Sequence, residues 1–147
     1  MKGLRRILLG IGLLLLWGTA HAQPAKEWEA YKARFVSPDG RVVDFLQERI
    51  SHSEGQGYGL LLAVGHDDPR AFSQLWKWTQ ENLRMRKGDS LHAWKWGQRP
   101  NGQWAVLDYN NATDGDILIA WSLLKGARKW KNEAYRNQAR EIVKAIR

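Results

Sequence analysis

Residues 112–124 read Ala-Thr-Asp-Gly-Asp-Ile-Leu-Ile-Ala-Trp-Ser-Leu-Leu: two carboxylates bracketing one glycine, then the apolar run Ile117 to Trp121. The polar opening followed by apolar residues at helical spacing predicts a helix starting between Thr113 and Asp116. Its expected buried stripe is Ile117, Ala120, Leu124 and Ala127. Upstream, Ser51-His52-Ser53-Glu54-Gly55-Gln56-Gly57-Tyr58-Gly59 has the same design, an acid in a glycine-rich patch that opens the apolar run Leu60 to Val64. Each acid therefore sits at the mouth of a helix.

The remaining chain reads as further helices joined by loops. Trp28, Tyr31 and Phe35 recur at helical spacing after Gln23. Ser37-Pro38-Asp39-Gly40 is a turn signal, and Val42, Val43 and Phe45 form a short extended piece. Asp68-Pro69 supplies an N-cap and a first-turn proline, followed by the stripe Phe72, Leu75, Trp76, Thr79 and Leu83. Lys87 to Val106, punctuated by Gly88, Gly97, Pro100 and Gly102, reads as a long irregular stretch. Tyr135, Ala139, Ile142, Val143 and Ile146 line a last helix, which runs to the final residue with no stop signal. About five helices without an internal repeat or a linker suit either a closed bundle or the first part of a larger helical array.

The N-terminus carries an address. Lys2, Arg5 and Arg6 precede the apolar run Ile7 to Trp17, and Ala20-His21-Ala22 gives a small-x-small cleavage pattern. The run is shorter than the ~20 residues of a membrane span. The expectation is a signal peptide over residues 1–22, a domain over 23–147 and a periplasmic or secreted location, with no stable membrane insertion after cleavage. The chain has no cysteine, which removes disulfides, thiolate nucleophiles and cysteine-based zinc sites. Taking Lys2, Arg5 and Arg6 from the 23 basic side chains leaves 20 against 15 acidic. Without a dense basic run, and in an exported chain, that excess reads as solvated helix faces rather than a nucleic-acid surface.

The motifs admit plain and functional readings. Glu54 can simply complement a helix dipole, or act as a general acid, a role that asks for a carboxyl kept protonated near neutral pH by burial. Asp114 and Asp116 can be N-cap and first-turn acids, yet two acids around one glycine exceed what capping requires. The metal readings fail. Ala112 and Thr113 stand where a calcium loop needs an oxygen ligand and a glycine, and His52-Ser53-Glu54 lacks the cysteine pair of a zinc deaminase. His66 and His92 have no ligand-spaced partner, so no metal and no cofactor is expected. Trp94 and Trp96, with Trp104 and Tyr109 close behind, lie in a glycine-punctuated stretch rather than on a helical stripe. They can pack, or they can offer flat faces to sugar rings.

Ala112 to Leu124 closely resembles the signature of glycoside hydrolase family 8. Ser53 to Gly59 is similar to that family's other hallmark segment, and Ala93-Trp94-Lys95-Trp96-Gly97 falls between them. Residues 26–147 look most like the periplasmic endoglucanases associated with bacterial cellulose synthesis. The resemblance implies an all-α fold, the N-terminal part (about five of twelve helices) of an (α/α)6 barrel, and inverting hydrolysis of β-1,4-glucan. By it, Glu54 matches the general acid and Asp114 the aspartate that contacts the sugar at the cleavage subsite, while Asp116 holds the loop. Trp94, Trp96 and Tyr109 become substrate-binding walls. The family's general base lies downstream of Arg147, so this stretch is expected to be inactive alone. The implied partners are a β-glucan and the cellulose synthase machinery. Family members acting on xylan or chitosan, and a non-catalytic polysaccharide-binding remnant, are the alternatives.

Overall fold

The computed structural model describes residues 22–146; the expected signal peptide, save its last residue, lies outside them. Five helices carry the fold: α1 (Ala22–Phe35), α2 (Ser53–Gly65), α3 (Pro69–Asn82), α4 (Thr113–Trp130) and α5 (Glu133–Ile146). Three short strands, β1 (Ser51–His52), β2 (Lys95–Gln98) and β3 (Trp104–Asp108), form an antiparallel sheet in that order.

Local chemistry sets the boundaries. Asp68 Oδ1 accepts the Ala71 amide at 2.9 Å and Pro69 opens the first turn, which fixes the start of α3. Lys131 adopts a left-handed conformation (φ 53°), and the Asn132 amide returns to the Ala127 carbonyl at 3.0 Å, which ends α4. Asn132 Oδ1 then accepts the Tyr135 amide at 3.3 Å and opens α5. The tight turn between the two helices makes them antiparallel neighbours.

The core lies among α2, α3, α4 and α5, with Trp28 of α1 closing one side. Phe72, Leu75 and Thr79 are fully buried and Trp76 nearly so, which makes the α3 stripe the one the sequence predicts. Phe72 meets the Trp130 ring edge-on at 5.0 Å. Burying a large apolar side chain of this kind contributes about 1.5–3 kcal/mol.

Two helices come unusually close. A Cβ on Gly57 would stand 2.6 Å from Leu118 Cβ, and one on Gly115 would meet Ser53 Oγ and lie 2.9 Å from the Glu54 amide nitrogen. These two glycines let the first turns of α2 and α4 touch backbone to backbone. Of the motif glycines, Gly57 and Gly115 thus serve the contact between these helices.

Three expectations need correction. The stretch read as irregular contains the β2–β3 hairpin, turned at Gly102 (φ 82°) and closed by the Arg99 amide on the Gln103 carbonyl at 2.8 Å. Strands this short carry too few alternating residues to show a period. On α4, Ile117 and Leu124 are exposed, and the buried stripe is Ile119, Ala120, Leu123 and Ala127. An unbroken apolar run fits more than one helical phase, and the close contact at Gly115 selects the phase. On α5, Ala139 and Ile142 are buried, Tyr135 and Ile146 half-buried, and Val143 exposed.

Candidate active site

The site begins where the sheet ends. β1 pairs Ser51 with Trp96 and His52 with Lys95, and the Ser53 amide adds a bond to the Trp94 carbonyl at 3.1 Å before α2 begins. The Trp94 amide in turn donates to the Asn110 carbonyl at 2.8 Å. Two backbone bonds therefore tie the start of α2, the approach to β2 and the approach to α4 into one unit. Three segments far apart in sequence meet there.

Each residue of the α2 opening has its own direction. His52 Nδ1 accepts the Gly55 amide at 3.0 Å and is the N-cap, with His52 Nε2 3.4 Å from Asp44 Oδ2. Gln56 is fully buried: its Oε1 accepts the Val42 amide at 2.5 Å, and its Nε2 lies 2.8 Å from Thr79 Oγ1. Gly57 faces α4. With the cap supplied by His52 and the anchor by Gln56, the half-buried Glu54 carboxyl is left with neither task. That is what distinguishes it.

The acids of α4 divide in the same way. Its N-cap position is Ala112, whose side chain makes no capping bond, so neither aspartate is the cap. Asp116 is fully buried. Its Oδ1 accepts from the His92 amide at 3.0 Å and lies 2.8 Å from His92 Nδ1, and its Oδ2 accepts from Asn111 at 3.3 Å. Asp116 thus clamps the segment before Trp94 to the first turn of α4. Asp114 is exposed and, among the described residues, accepts only the adjacent Gly115 amide, at 2.7 Å. Glu54 and Asp114 stand on helix openings that touch through Gly115.

The aromatic residues do not form one wall. Trp94 is half-buried, with Lys95 Nζ 5.6 Å from its ring centre. Its side chain, followed by the Asn110 amide, holds the neighbouring Asp108 carboxyl below the usual range. Trp96 belongs to a separate pile, stacked on Trp104 at 5.1 Å and meeting Trp78 edge-on at 5.2 Å, with the Arg41 guanidinium 5.1 Å from its ring. Tyr109 is exposed, and its carbonyl accepts from Arg86, itself paired with Asp89 at 2.8 Å. Sequence reasoning missed His52, Gln56 and His92 as supports. His92 lies 24 residues from Asp116, and no local pattern signals that pairing. Among the described residues no group of three or more His, Asp or Glu could hold a metal ion.

The family model described as glycosyl hydrolases family 8 matches residues 3–147. The chain belongs to that family. Among curated relatives, an endoglucanase of Cellulomonas uda is 42% identical over 90% of this chain and 36% of its own length. One from Escherichia coli (strain K12) is 40% identical over 93% and 39%. A reducing end xylose-releasing exo-oligoxylanase of Halalkalibacterium halodurans is 28% identical over 62% and 24%. Among solved structures, the family 8 endoglucanase Cel10 of Klebsiella pneumoniae superposes with a TM-score of 0.75 at 42% identity, over 82% of this chain and 38% of that one. The endo-beta-1,4-glucanase CMCax of Acetobacter xylinum gives 0.72 at 39%, over 81% and 36%. The chain therefore spans less than half the length of these relatives, and its helices form part of the (α/α)6 barrel of family 8.

Proposed function

We propose that this chain supplies the acid-bearing part of an enzyme that cleaves β-1,4-glucan internally, with inversion. Glu54 protonates the departing glycosidic oxygen, and Asp114 contacts the sugar at the cleavage point. The observation carrying this reading is that, among the described residues, neither carboxylate ties one segment of the fold to another, at a junction where His52 supplies the cap, Gln56 the anchor and Asp116 the clamp on His92. Inversion needs a second carboxylate activating water ~6.5–9.5 Å across the bond. That base comes from the rest of the family fold, and residues 23–147 alone do not turn over glucan. Trp94, Trp96 and Tyr109 supply apolar faces for sugar rings, and the protein acts in the periplasm or outside the cell, alongside cellulose synthesis.

Glucan is preferred over xylan because the relatives named endoglucanase reach 42% identity over most of the chain, against 28% over 62% for the one named an oligoxylanase. The test is a chimera in which residues 25–147 replace the matching part of the Klebsiella endoglucanase. It should release reducing sugar from carboxymethylcellulose, and Glu54→Gln should lower that rate about 10²–10⁴-fold with binding retained. A Glu54→Gln chimera working at the parental rate would remove Glu54 from the role. Turnover by the 147-residue chain alone would refute the need for a base from elsewhere.

A further inference from the structure

A cavity of about 320 Å³ opens between the last turns of α1, the 42–46 segment and the start of α2, and the proposed chemistry makes no use of it. Its floor is aromatic: Tyr31 and Phe35 lie 5.3 Å apart, and Phe35 and Phe45 6.3 Å, all tilted to one another. Its edge is polar, with Arg34, Asp44 and His52. The size falls at the small end of ligand pockets, ~300–1,000 Å³, which are mostly apolar with a few directed polar groups.

The rim is built rather than loose. Asp44 Oδ1 accepts the Leu46 and Gln47 amides at 2.8 and 3.2 Å, and the Asp44 amide donates to the Ile50 carbonyl at 2.9 Å. Within that short loop Glu48 and Arg49 both take left-handed backbone (φ 52° and 59°), which non-glycine residues adopt only where their surroundings impose it. The loop holds Phe45 half-exposed and Leu46 97% exposed beside the cavity. Burial pushes the Tyr31 hydroxyl upward, so it stays protonated and can donate as well as accept. Arg34 offers donors, and Asp44 Oδ2 has only the 3.4 Å approach of His52 Nε2.

We propose that this cavity is a second carbohydrate site, taking one ring of a β-linked glucan with an apolar face on Phe45 and its hydroxyls toward Arg34, Tyr31 and Asp44. The proposal rests on the glucan reading above and adds a binding position to it. His52 and Gly55 line the cavity and Glu54 does not, although all three belong to the opening of α2. A glucan held there would be retained near the cleavage site between events. The concave shape and polar edge favour a sugar ring over a flat protein contact.

Cellotetraose titrated into the isotope-labelled 147-residue chain tests it. Saturable shifts are expected at the Phe45 ring and the Gly55 amide. Phe45→Ala, an exposed substitution that spares the core, should weaken them about tenfold, a difference of about 1.4 kcal/mol. Arg34→Ala should weaken them less and leave the thermal transition in place. Absence of shifts at Phe45 and Gly55 overturns the proposal. If the Klebsiella chimera still releases reducing sugar from carboxymethylcellulose, only this second site fails; if it does not, the glucan reading fails with it. Shifts at the cavity that follow protein concentration instead of sugar would show self-association and also overturn it.

Discussion

Asp68 and Glu54 both sit at helix openings, and the fold treats them differently. Asp68 is fully employed: its Oδ1 caps α3, while its Oδ2 accepts from Trp28 Nε1 at 3.0 Å and from Lys32 Nζ at 2.8 Å, which pins α1 to α3. Glu54 has had its capping work taken by His52 and its anchoring work by Gln56. The same division separates Asp116, buried on His92 and Asn111, from Asp114, exposed two residues earlier. A carboxylate that holds structure has its lone pairs occupied by donors. One destined for a substrate must keep them available.

The largest effect that can break this contrast is at Asp116. Asp116→Leu leaves the His92 amide and ring donor buried without a partner, and stability should fall by about 3 kcal/mol, read from urea unfolding. A loss below about 0.5 kcal/mol, the range of ordinary surface changes, would show that the buried clamp is not structural.

Acid sharpens the contrast at Asp68. Burial alone pushes its carboxyl upward, but the Ala71 amide, Lys32 and Trp28 outweigh burial and bring it down to about 2. Its folded value lies below the unfolded one, so its contribution is present above about pH 4 and is lost as pH falls toward 2. Solvent screening at this part-exposed site holds that contribution to about 1 kcal/mol. Asp68→Asn should flatten this part of the stability–pH curve. An unchanged curve would mean that Asp68 does not hold α1.

The smallest stability effect belongs to Asp114. Asp114→Asn should move stability by less than about 0.5 kcal/mol, while crippling glucan hydrolysis in the Klebsiella chimera. A clear loss of folding with turnover retained would move Asp114 into the structural class beside Asp116.

Much of the scaffold was legible along the chain. The α3 stripe from Phe72 to Leu83 is a single-phase amphipathic pattern, and the Asp68-Pro69 opening names its own boundary, because capping and periodicity act within a few residues. The α4 phase was misread, since an apolar run such as Ile117 to Trp121 offers no polar residue to fix its face. The hairpin at 95–108 was missed because a pairing of four or five residues is decided by its partner strand.

The acids at 54, 114 and 116, their glycine neighbours and their places at helix openings were set by the sequence alone, because backbone capping and helical period are local physics. Which acid is occupied and which is open was decided by tertiary structure. Asp116 became structural only when His92 was brought against it, and Glu54 became available only because His52 and Gln56 took the other tasks. The separation of Trp94 from the Trp78–Trp96–Trp104 pile followed from strand register. These outcomes depend on contacts between segments far apart in the chain, and such contacts form only as the helices pack.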